Sequence, residues 1–152
     1  MKTAIILSDT HGAAPRELRD EIDQADYIIF AGDGYYALYN FLTENERAKF
    51  VAVCGNCDYE IGGDVQQVIE IEKVRIFLTH GHKYGARYSN AEIYAAAKEN
   101  NCSIAIYGHS HRAENVTMDR ITLFNPGSYR DSYSYGYLIV DQDKYFVKNV
   151  KI

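Results

Sequence analysis

The sequence predicts an α/β fold in which two packed β-sheets carry helices on their outer faces. Two observations support this prediction. Short apolar runs rich in β-branched residues recur along the chain, with amphipathic stretches between several of them, which is typical of strands that alternate with helices in a largely parallel sheet. Three pairs of alternating runs surround short polar turns, which is typical of hairpins and adds an antiparallel component.

Five of the apolar runs are predicted to be the strands that alternate with helices. They occupy residues 4–7, 27–30, 50–54, 75–78 and 104–107. The three hairpins are predicted where apolar and polar residues alternate on both sides of a short turn, at residues 72–73, 119–120 and 141–144. An alternation of period two is typical of strands with one buried face.

Three amphipathic segments between these runs are predicted to be helices. The segment 15–25 has Pro15 where a first helical turn would begin, and its spacing places Leu18, Ile22 and Ala25 on one helical stripe. The other two helices are expected over residues 35–46 and 90–101. The chain has only two prolines and no low-complexity segment, so residues 1–152 are expected to form a single domain.

The composition argues against two classes of protein. The formal net charge is −5 and no block of Lys or Arg occurs, so the chain lacks the charge pattern of a dedicated nucleic-acid binder. Its apolar runs are far shorter than the ~20 residues that a membrane span requires. The first run continues into Asp9 and His11 without a cleavage site, which indicates a β-strand rather than a signal peptide. The protein is therefore expected to be cytoplasmic.

A C-x-x-C pattern at Cys54 and Cys57 raises the question of a redox pair or a zinc site. Together with Cys102 the chain has three cysteines, and an odd number argues against a disulfide framework. A thioredoxin-like C-x-x-C opens a helix, whereas the residues after Cys57 resemble a loop, and a zinc knuckle needs two further ligands. Both interpretations are disfavoured, which leaves Asn56 as the informative residue of the pattern.

Polar side chains follow each of the five apolar runs. The runs end in the segments SDTHG, AGDG, CGNCD, THGH and YGHSH. In α/β sheets, sites form beyond the carboxyl ends of the strands, where loops from separate strands converge. All five histidines of the chain fall in these endings: His11, His80, His82, His109 and His111.

Taken singly, each ending has a structural explanation, such as a turn dipeptide at Gly32-Asp33. Taken together, they supply carboxylates, an asparagine carbonyl and several imidazoles. This mixed nitrogen and oxygen set suits Mn, Fe, Co, Ni or Zn. In the D-x-H and H-x-H spacings, residues i and i+2 of an extended chain point to the same side. Both members of a pair can therefore reach one cluster, and the set predicts a metal centre.

At this point the sequence resembles the calcineurin-like metallophosphoesterases, in particular their small phosphodiesterase branch. The pattern of that family is D-x-H, G-D, G-N-x-D/E, a lone H, and G-H-x-H. The chain carries these motifs in the same order, with NPGS at 125–128 as a further shared segment: Asp9-Thr10-His11, Gly32-Asp33, Gly55-Asn56-Cys57-Asp58, His80 and Gly108-His109-Ser110-His111. The resemblance extends from residue 5 to about residue 128.

The resemblance implies a compact four-layer αββα sandwich with two divalent metal ions, Mn first and Ni, Fe, Co or Zn as alternatives. It implies one ion on Asp9, His11, Asp33 and His111, and a second on Asp33, Asn56, His80 and His109, with Asp33 bridging. Two metals ~3.5–4 Å apart neutralise the oxygens of an anionic phosphate and create a hydroxide at neutral pH. The expected reaction is phosphodiester hydrolysis by in-line attack of a metal-bridging hydroxide. The residues expected to act in catalysis are Asp33, Asn56, His109 and His82.

One departure from the family pattern leaves the proton donor open. Many members carry His after the motif asparagine, as the expected donor to the leaving group, whereas this chain has Cys57. A thiol is a poorer partner for a phosphate oxygen than an imidazolium. His82, two residues past His80, is the first candidate for the missing acid, and the alternative is that it only orients a ligand. A phosphate could be clamped by Arg87, Arg112 or Arg130. The alternative for each is an ordinary surface arginine.

Two other functions remain as alternatives at the level of sequence. The same fold occurs in a retromer scaffold subunit that binds protein partners, but a scaffold is expected to lose ligands that are all retained here. A nuclease could use the same metals, although the net charge of −5 argues against a polynucleotide substrate. The expected partner is a small phosphate ester, with no dedicated nucleic-acid surface and no membrane, and a homo-oligomer is an open alternative.

Overall fold

The computed structural model describes residues 1–58 and 62–152. Within these two ranges, ten strands form two five-stranded sheets. The first sheet contains β1 (Lys2–Leu7), β2 (Tyr27–Phe30), β3 (Phe50–Ala52), β9 (Ser134–Asp141) and β10 (Lys144–Lys151). The second contains β4 (Gln66–Ile71), β5 (Val74–Thr79), β6 (Ile104–Ile106), β7 (Glu114–Met118) and β8 (Ile121–Asn125).

Both sheets are mixed, as the alternation of strands and helices followed by hairpins predicts. The strand order is β10-β9-β1-β2-β3 in the first sheet and β4-β5-β6-β8-β7 in the second. β1, β2 and β3 are parallel, and so are β5, β6 and β8. The hairpins β4-β5, β7-β8 and β9-β10 are antiparallel. Because the central strands are parallel, their carboxyl ends open on one edge of each sheet.

Helices cover the outer faces of the sheets. They are α1 (Arg19–Gln24), α2 (Tyr35–Phe41), α3 (Glu44–Arg47), α4 (Ala91–Glu99) and α5 (Tyr129–Ser132), with 3₁₀ turns at Arg16–Leu18 and His82–Tyr84. Leu18, Ile22 and Ala25 are all buried, as the stripe in segment 15–25 predicts. Among the described helices, none has both the length and the apolar character needed to cross a bilayer.

Three apolar layers follow from the alternation of side chains along the strands. In β1, Ala4 and Ile6 face the layer between the sheets, whereas Ile5 and Leu7 pack under α1 and α2. In the second sheet, Ile76 and other residues face the inner layer and alternate with Phe77, Ala105 and Leu123, which pack against Ile93 and Ala97 of α4. The arrangement is the expected sandwich of two mixed sheets flanked by helices.

Three predicted elements differ from the structure. The segment 15–25 is a 3₁₀ turn at Arg16–Leu18 followed by α1 at Arg19–Gln24 rather than one continuous helix. The segment 35–46 is two helices rather than one, because Thr43 begins a new helix as its N-cap. The Thr43 hydroxyl accepts from Glu46 N, and the Glu46 carboxylate accepts from Thr43 N, which is a capping box. The third strand ends at Ala52 instead of residue 54, because Cys54 N already donates to Asp64 O in the following loop.

Candidate metal centre

The expected ligands follow the carboxyl ends of strands in both sheets, and five of them have an unusual backbone conformation. Positive φ angles of 53°, 43°, 67°, 70° and 63° occur at Asp9, His11, Asp33, His109 and His111. This left-handed region is uncommon for residues other than glycine, and it persists where the surroundings enforce it, typically at functional sites. The loops are thus held in conformations that turn these side chains toward one another.

A first group consists of Asp9, His11 and His111. Asp9 Oδ1 lies 3.3 Å from His111 Nε2 and 3.7 Å from His11 Nε2. The two Nε2 atoms lie 3.4 Å apart. All three ligand atoms are within 4.8 Å of one another, so one cation could contact all of them.

A second group consists of Asp33, His80 and His109, whose ligand atoms also lie within 4.8 Å of one another. Asp33 Oδ2 is 3.2 Å from His80 Nε2, and His109 Nδ1 is 3.3 Å from the same nitrogen. The groups are contiguous, because Asp33 Oδ2 lies 3.9 Å from His11 Nε2 and His80 Nε2 lies 3.8 Å from Asp9 Oδ1. Asp33 therefore faces members of both groups.

The side chains present fit divalent metal ions. Asp9 Oδ1 is buried and has no hydrogen-bond partner among the described residues, although an unpaired buried carboxylate oxygen is costly. The His11 and His111 Nε2 atoms face each other, and so do His80 Nε2 and His109 Nδ1. When the ring proton of each imidazole is on its other nitrogen, the two lone pairs of a facing pair point into the same space, an arrangement that a cation stabilises. Neutral imidazoles and carboxylates are suitable ligands for such ions.

Asn56 is the seventh expected ligand, and it lies in the turn that follows β3. Its side chain is exposed and its Nδ2 donates to Cys57 Sγ at 3.7 Å. The turn itself is close to the centre, because Cys57 N donates to Asp33 Oδ1 at 2.8 Å. The structure therefore brings six of the seven expected ligands together and places the turn of Asn56 beside Asp33.

Cys57 lies closer to the centre than the sequence suggests. Its Sγ is within 4.8 Å of ligand atoms of His11 and Asp33. Cys54 is buried, Cys57 is exposed and both are free thiols, so they form no disulfide. Burial, followed by the charge of Asp33, raises the pKa of the Cys57 thiol. The side chain after the motif asparagine thus borders the centre as a thiol.

His82 also borders the centre. Its ring centroid lies 5.4 Å from that of His80 and 6.1 Å from that of His109. Its Nδ1 is buried without a hydrogen-bond partner among the described residues. Burial, followed by the charge of His80, lowers the pKa of His82. The 3₁₀ turn His82–Tyr84 thus holds this imidazole beside two expected ligands.

The electrostatics of the centre favour the metal-binding forms of Asp33 and His109 and oppose that of Asp9. Burial raises the pKa of Asp33, but hydrogen bonding and charge interaction with His80 outweigh it, so the pKa is lowered overall. Burial lowers the pKa of His109 to about 4, with further contributions from the charges of His80 and Arg87. Burial also raises the pKa of Asp9. An ionised Asp33 and a neutral His109 are the states in which these residues bind metals.

Asp58 has a positioning role that its place in the motif does not reveal. Its Oδ2 accepts from Asp33 N at 2.7 Å and from Gly55 N at 2.9 Å. Its Oδ1 accepts from Gly34 N at 2.9 Å and from Tyr35 N at 3.1 Å, at the start of α2. A Cβ at Gly55 would overlap Asp33 Oδ1, so glycine is required for this approach. One carboxylate thus joins the loops of Asp33 and Asn56.

Asp131 supports His111 from α5, and no sequence pattern pointed to it. His111 Nδ1 lies 2.7 Å from Asp131 Oδ2, a distance at which the imidazole N–H donates to the carboxylate. Such a contact fixes the ring orientation and leaves Nε2 free to bind a metal. A backbone carbonyl orients His80 in the same way, because His80 Nδ1 lies 2.7 Å from Ala31 O.

The NPGS segment holds two of the ligand loops in place. Asn125 Nδ2 donates to Gly108 O at 3.2 Å and to Ser110 Oγ at 3.1 Å. Ser128 Oγ donates to Asp9 O at 2.9 Å, and Ser8 Oγ donates to Asp9 Oδ2 at 2.7 Å. These bonds explain why the segment accompanies the ligand motifs.

Proteins with sequences similar to this chain are named as phosphoesterases. A probable metallophosphoesterase of Mycoplasma pneumoniae is 35% identical over 133 residues, covering 84% of this chain and 79% of the relative. The phosphodiesterase YfcE of Escherichia coli is 32% identical over 154 residues, with the same two coverages.

Solved structures share the fold. A Streptococcus pneumoniae protein described as a predicted phosphoesterase has a TM-score of 0.81 and 25% identity, over 99% of this chain and 89% of that one. Vps29 of Entamoeba histolytica has a TM-score of 0.80 and 19% identity, over 99% of both chains; at that identity the likeness concerns the fold alone. The family model described as the calcineurin-like phosphoesterase superfamily domain matches residues 1–144. The chain therefore belongs to the calcineurin-like phosphoesterase superfamily.

Proposed function

We propose that this chain is a dinuclear metal-dependent phosphoesterase that hydrolyses phosphodiesters. The observation that carries the proposal is the pair of contiguous groups, Asp9 with His11 and His111, and Asp33 with His80 and His109, each with ligand atoms within 4.8 Å of one another. One group could hold one cation, and two adjoining groups with Asp33 between them suit a pair.

In this proposal the first metal would be held by Asp9, His11, Asp33 and His111. The second would be held by Asp33, Asn56, His80 and His109. Manganese is the first choice, with Ni, Fe, Co or Zn as alternatives, because the donors are nitrogen and oxygen. When bound, such a pair supplies Lewis acidity that offsets the charge of a phosphate and lowers the pKa of water.

The protein's own residues orient the groups around that chemistry. Asp33 keeps its carboxylate ionised between the two groups, and Asp58 holds its loop through the bond from Asp33 N. Asn56, exposed at the border, would turn its amide oxygen inward to complete the second group. Cys57 borders the centre beside His11 and Asp33, and His82 borders it beside His80 and His109. Both residues are therefore candidates for the proton donor to the leaving group. Which of them delivers a proton is tested below.

A diester is proposed as the substrate rather than a monoester. The support is the likeness to proteins named phosphodiesterases, from Escherichia coli at 32% identity and from Methanocaldococcus jannaschii at 27% identity. The proposed partner is a small phosphate ester, because the net charge of −5 disfavours a polynucleotide.

The scaffold alternative is less well supported. It rests on the fold likeness to Vps29, at 19% identity. A protein-binding scaffold has no need of a buried carboxylate oxygen without a partner, such as Asp9 Oδ1, or of five strained ligand positions. These features cost stability, and a metal centre explains their presence.

The test combines elemental analysis with turnover of bis(p-nitrophenyl) phosphate and p-nitrophenyl phosphate. We expect two equivalents of divalent metal per chain and faster turnover of the diester. Asp9→Asn serves as the site variant, and the exposed residue Asp23, changed to Asn, serves as its matched control. Absence of turnover of both esters by a fully metal-loaded protein would support the scaffold, and faster turnover of the monoester would refute the proposed substrate class.

A further inference from the structure

A cavity of about 240 Å³ lies beside the candidate metal centre. It is bordered by the segment that precedes α4, the end of β6 and the loop before β7. Its polar wall includes Arg87, Asn90, Tyr107, Ser110, Arg112 and Glu114. Ser110 stands between the expected ligands His109 and His111, so the cavity adjoins the centre through the G-H-x-H motif.

Tyr107 gives the first sign that the cavity binds something. The residue is 2% exposed, and its hydroxyl is buried without a hydrogen-bond partner among the described residues. Buried tyrosine hydroxyls usually have a partner, because an unpaired one loses its bonds to water without replacement. A ligand with a hydrogen-bond acceptor in the cavity would supply the missing partner.

Two arginines give this cavity a positive charge in an otherwise acidic protein. Arg112 Nη2 donates to Arg87 O at 3.1 Å, which ties one guanidinium to the backbone beside the other. Glu114 is the one acidic residue in the wall, and its carboxylate accepts from Asn90 Nδ2 at 3.0 Å.

Ser110 adds a further donor. Its Oγ accepts from Asn125 Nδ2 at 3.1 Å and from Arg112 N at 3.2 Å. A hydroxyl has two acceptor lone pairs and one hydrogen. Because both acceptor positions are in use, the remaining capacity of Ser110 is donation. The wall therefore presents two guanidinium groups and two hydroxyls that can donate, which is the pattern of an anion site.

We propose that this cavity is a subsite for a second anionic group, carried on one ester arm of the phosphodiester. This inference rests on the proposed function for the position of the reacting phosphate. The substrate class is thereby narrowed to diesters with a carboxylate or a further phosphate on one arm. Arg87 and Arg112 bind that group, and Tyr107 donates to it.

Two esters that differ only in the remote arm test the inference: p-nitrophenyl 3-carboxypropyl phosphate and p-nitrophenyl butyl phosphate. The leaving group is identical, so a difference reports on the arm. The measured quantity is the ratio of kcat/KM for the carboxylate ester to that for the butyl ester. We expect this ratio to fall about tenfold in Arg87→Gln, Arg112→Gln and Tyr107→Phe, as for one lost hydrogen bond to a charged group. It should be unchanged in Arg120→Gln, which removes an exposed arginine from the β7-β8 turn.

Binding is measured separately from catalysis, in chelator-treated full-length protein. The side-chain Nε–H resonances of Arg87 and Arg112 are followed by NMR as each ester is added. We expect the carboxylate ester, and not the butyl ester, to shift these resonances saturably. In Tyr107→Phe the apparent affinity for the carboxylate ester should be about tenfold weaker. The subsite would be overturned if the kcat/KM ratio were the same in wild type and all variants. It would also be overturned if both esters shifted the resonances with equal affinity. Shifts without turnover of either ester would overturn the proposed hydrolysis and leave the subsite standing.

Discussion

His80 Nε2 lies 3.2 Å from Asp33 Oδ2, and this contact joins the two sheets at the candidate metal centre. Asp33 follows β2 of the first sheet, whereas His80 follows β5 of the second. Both residues are buried, so the contact lies in a medium of low dielectric, where charge interactions are strong. The candidate centre is thus assembled across the interface between the sheets.

Replacing Asp33 with Asn is expected to lower metal content at both positions. One carboxylate faces both ligand groups, and a neutral amide bridges two cations poorly. Elemental analysis after gel filtration measures the change, with Asp23→Asn as the control for loss of one surface carboxylate. Full occupancy of both positions in Asp33→Asn would contradict the bridging assignment.

Replacing Asp131 with Asn is expected to weaken binding of one metal about 10–100-fold, the usual effect of losing such a supporting group. The His111 Nδ1–Asp131 Oδ2 contact at 2.7 Å orients the ring, and a neutral acceptor leaves Nε2 less basic. Competition with a chromophoric chelator measures the two affinities separately. An unchanged affinity at both positions would show that Asp131 does not support metal binding by His111.

Replacing Cys54 and Cys57 together with Ser is expected to leave metal content essentially unchanged. Cys54 is buried and belongs to none of the candidate ligand groups of the described residues, but Cys57 Sγ lies within 4.8 Å of ligand atoms of His11 and Asp33. Because Cys57 is this close to two expected ligands, the double variant is a stringent test of whether its thiol binds metal. Metal stoichiometry is measured, and loss of both ions would identify Cys57 as a ligand.

Replacing Cys57 with His is expected to keep two metals and to raise turnover of alkyl esters selectively. An acid with a pKa near neutral contributes typically about 10²–10⁴-fold when correctly placed, and Cys57 is a thiol whose pKa is raised by burial. Aryl leaving groups need little protonation, so their rates should change little. Turnover of matched alkyl and aryl diesters measures the difference.

The matched variant His82→Ala decides whether the imidazole of His82 is the present proton donor. If it is, alkyl esters lose more rate than aryl esters at full metal occupancy. Equal losses together with reduced metal content would show instead that His82 supports its neighbour His80, whose ring centroid is 5.4 Å away. If each of the two substitutions changes the turnover of alkyl and aryl esters equally, neither side chain donates the proton.

Replacing Glu46 with Gln is expected to destabilise the fold by ~1–3 kcal/mol at neutral pH, as for lost hydrogen bonds to a charged group. Glu46 accepts from Thr43 N at 2.9 Å and pairs with Arg19 at 2.5 Å. Burial raises its pKa, but the bonds from Thr43 and Arg19 outweigh it, so the folded-state pKa is lowered. Urea unfolding of both proteins measures the difference.

The same pair gives a pH dependence with a definite sign. Because the folded pKa of Glu46 lies below the unfolded value of about 4.3, the contribution is present above that value and is lost as pH falls through the folded pKa. The stability difference between wild type and Glu46→Gln should therefore shrink below about pH 4. A difference that stays constant down to pH 3 would contradict the assignment.

Much of the fold follows from local patterns, and the exceptions have identifiable causes. Residues 27–30 were predicted and found as a strand, because a short apolar run flanked by turns has few alternatives. The helix predicted over 35–46 was wrong in its middle, since the capping box of Thr43 and Glu46 prevailed over the continuous amphipathic pattern. That pattern, T-x-x-E, was available in the sequence as a signal for a second helix.

The sequence by itself determined which residues stand at the ends of the central strands, because strand length and turn chemistry act over a few neighbouring residues. The order of Asp9, Asp33, His80 and His109 in these endings is readable without a structure. The approach of such groups across the two sheets is a property of the packed core, because 71 residues separate Asp9 from His80 and no local rule relates them.

Only the tertiary structure decided how the centre is supported. The contact of Asp131 with His111 crosses 20 residues of sequence, and the bond from Asp33 N to Asp58 crosses 25. The unpaired hydroxyl of Tyr107 is visible only once its surroundings are packed. Burial and hydrogen-bond partners depend on residues that are distant in the chain, so the free energy that orients these side chains arises only in the folded protein.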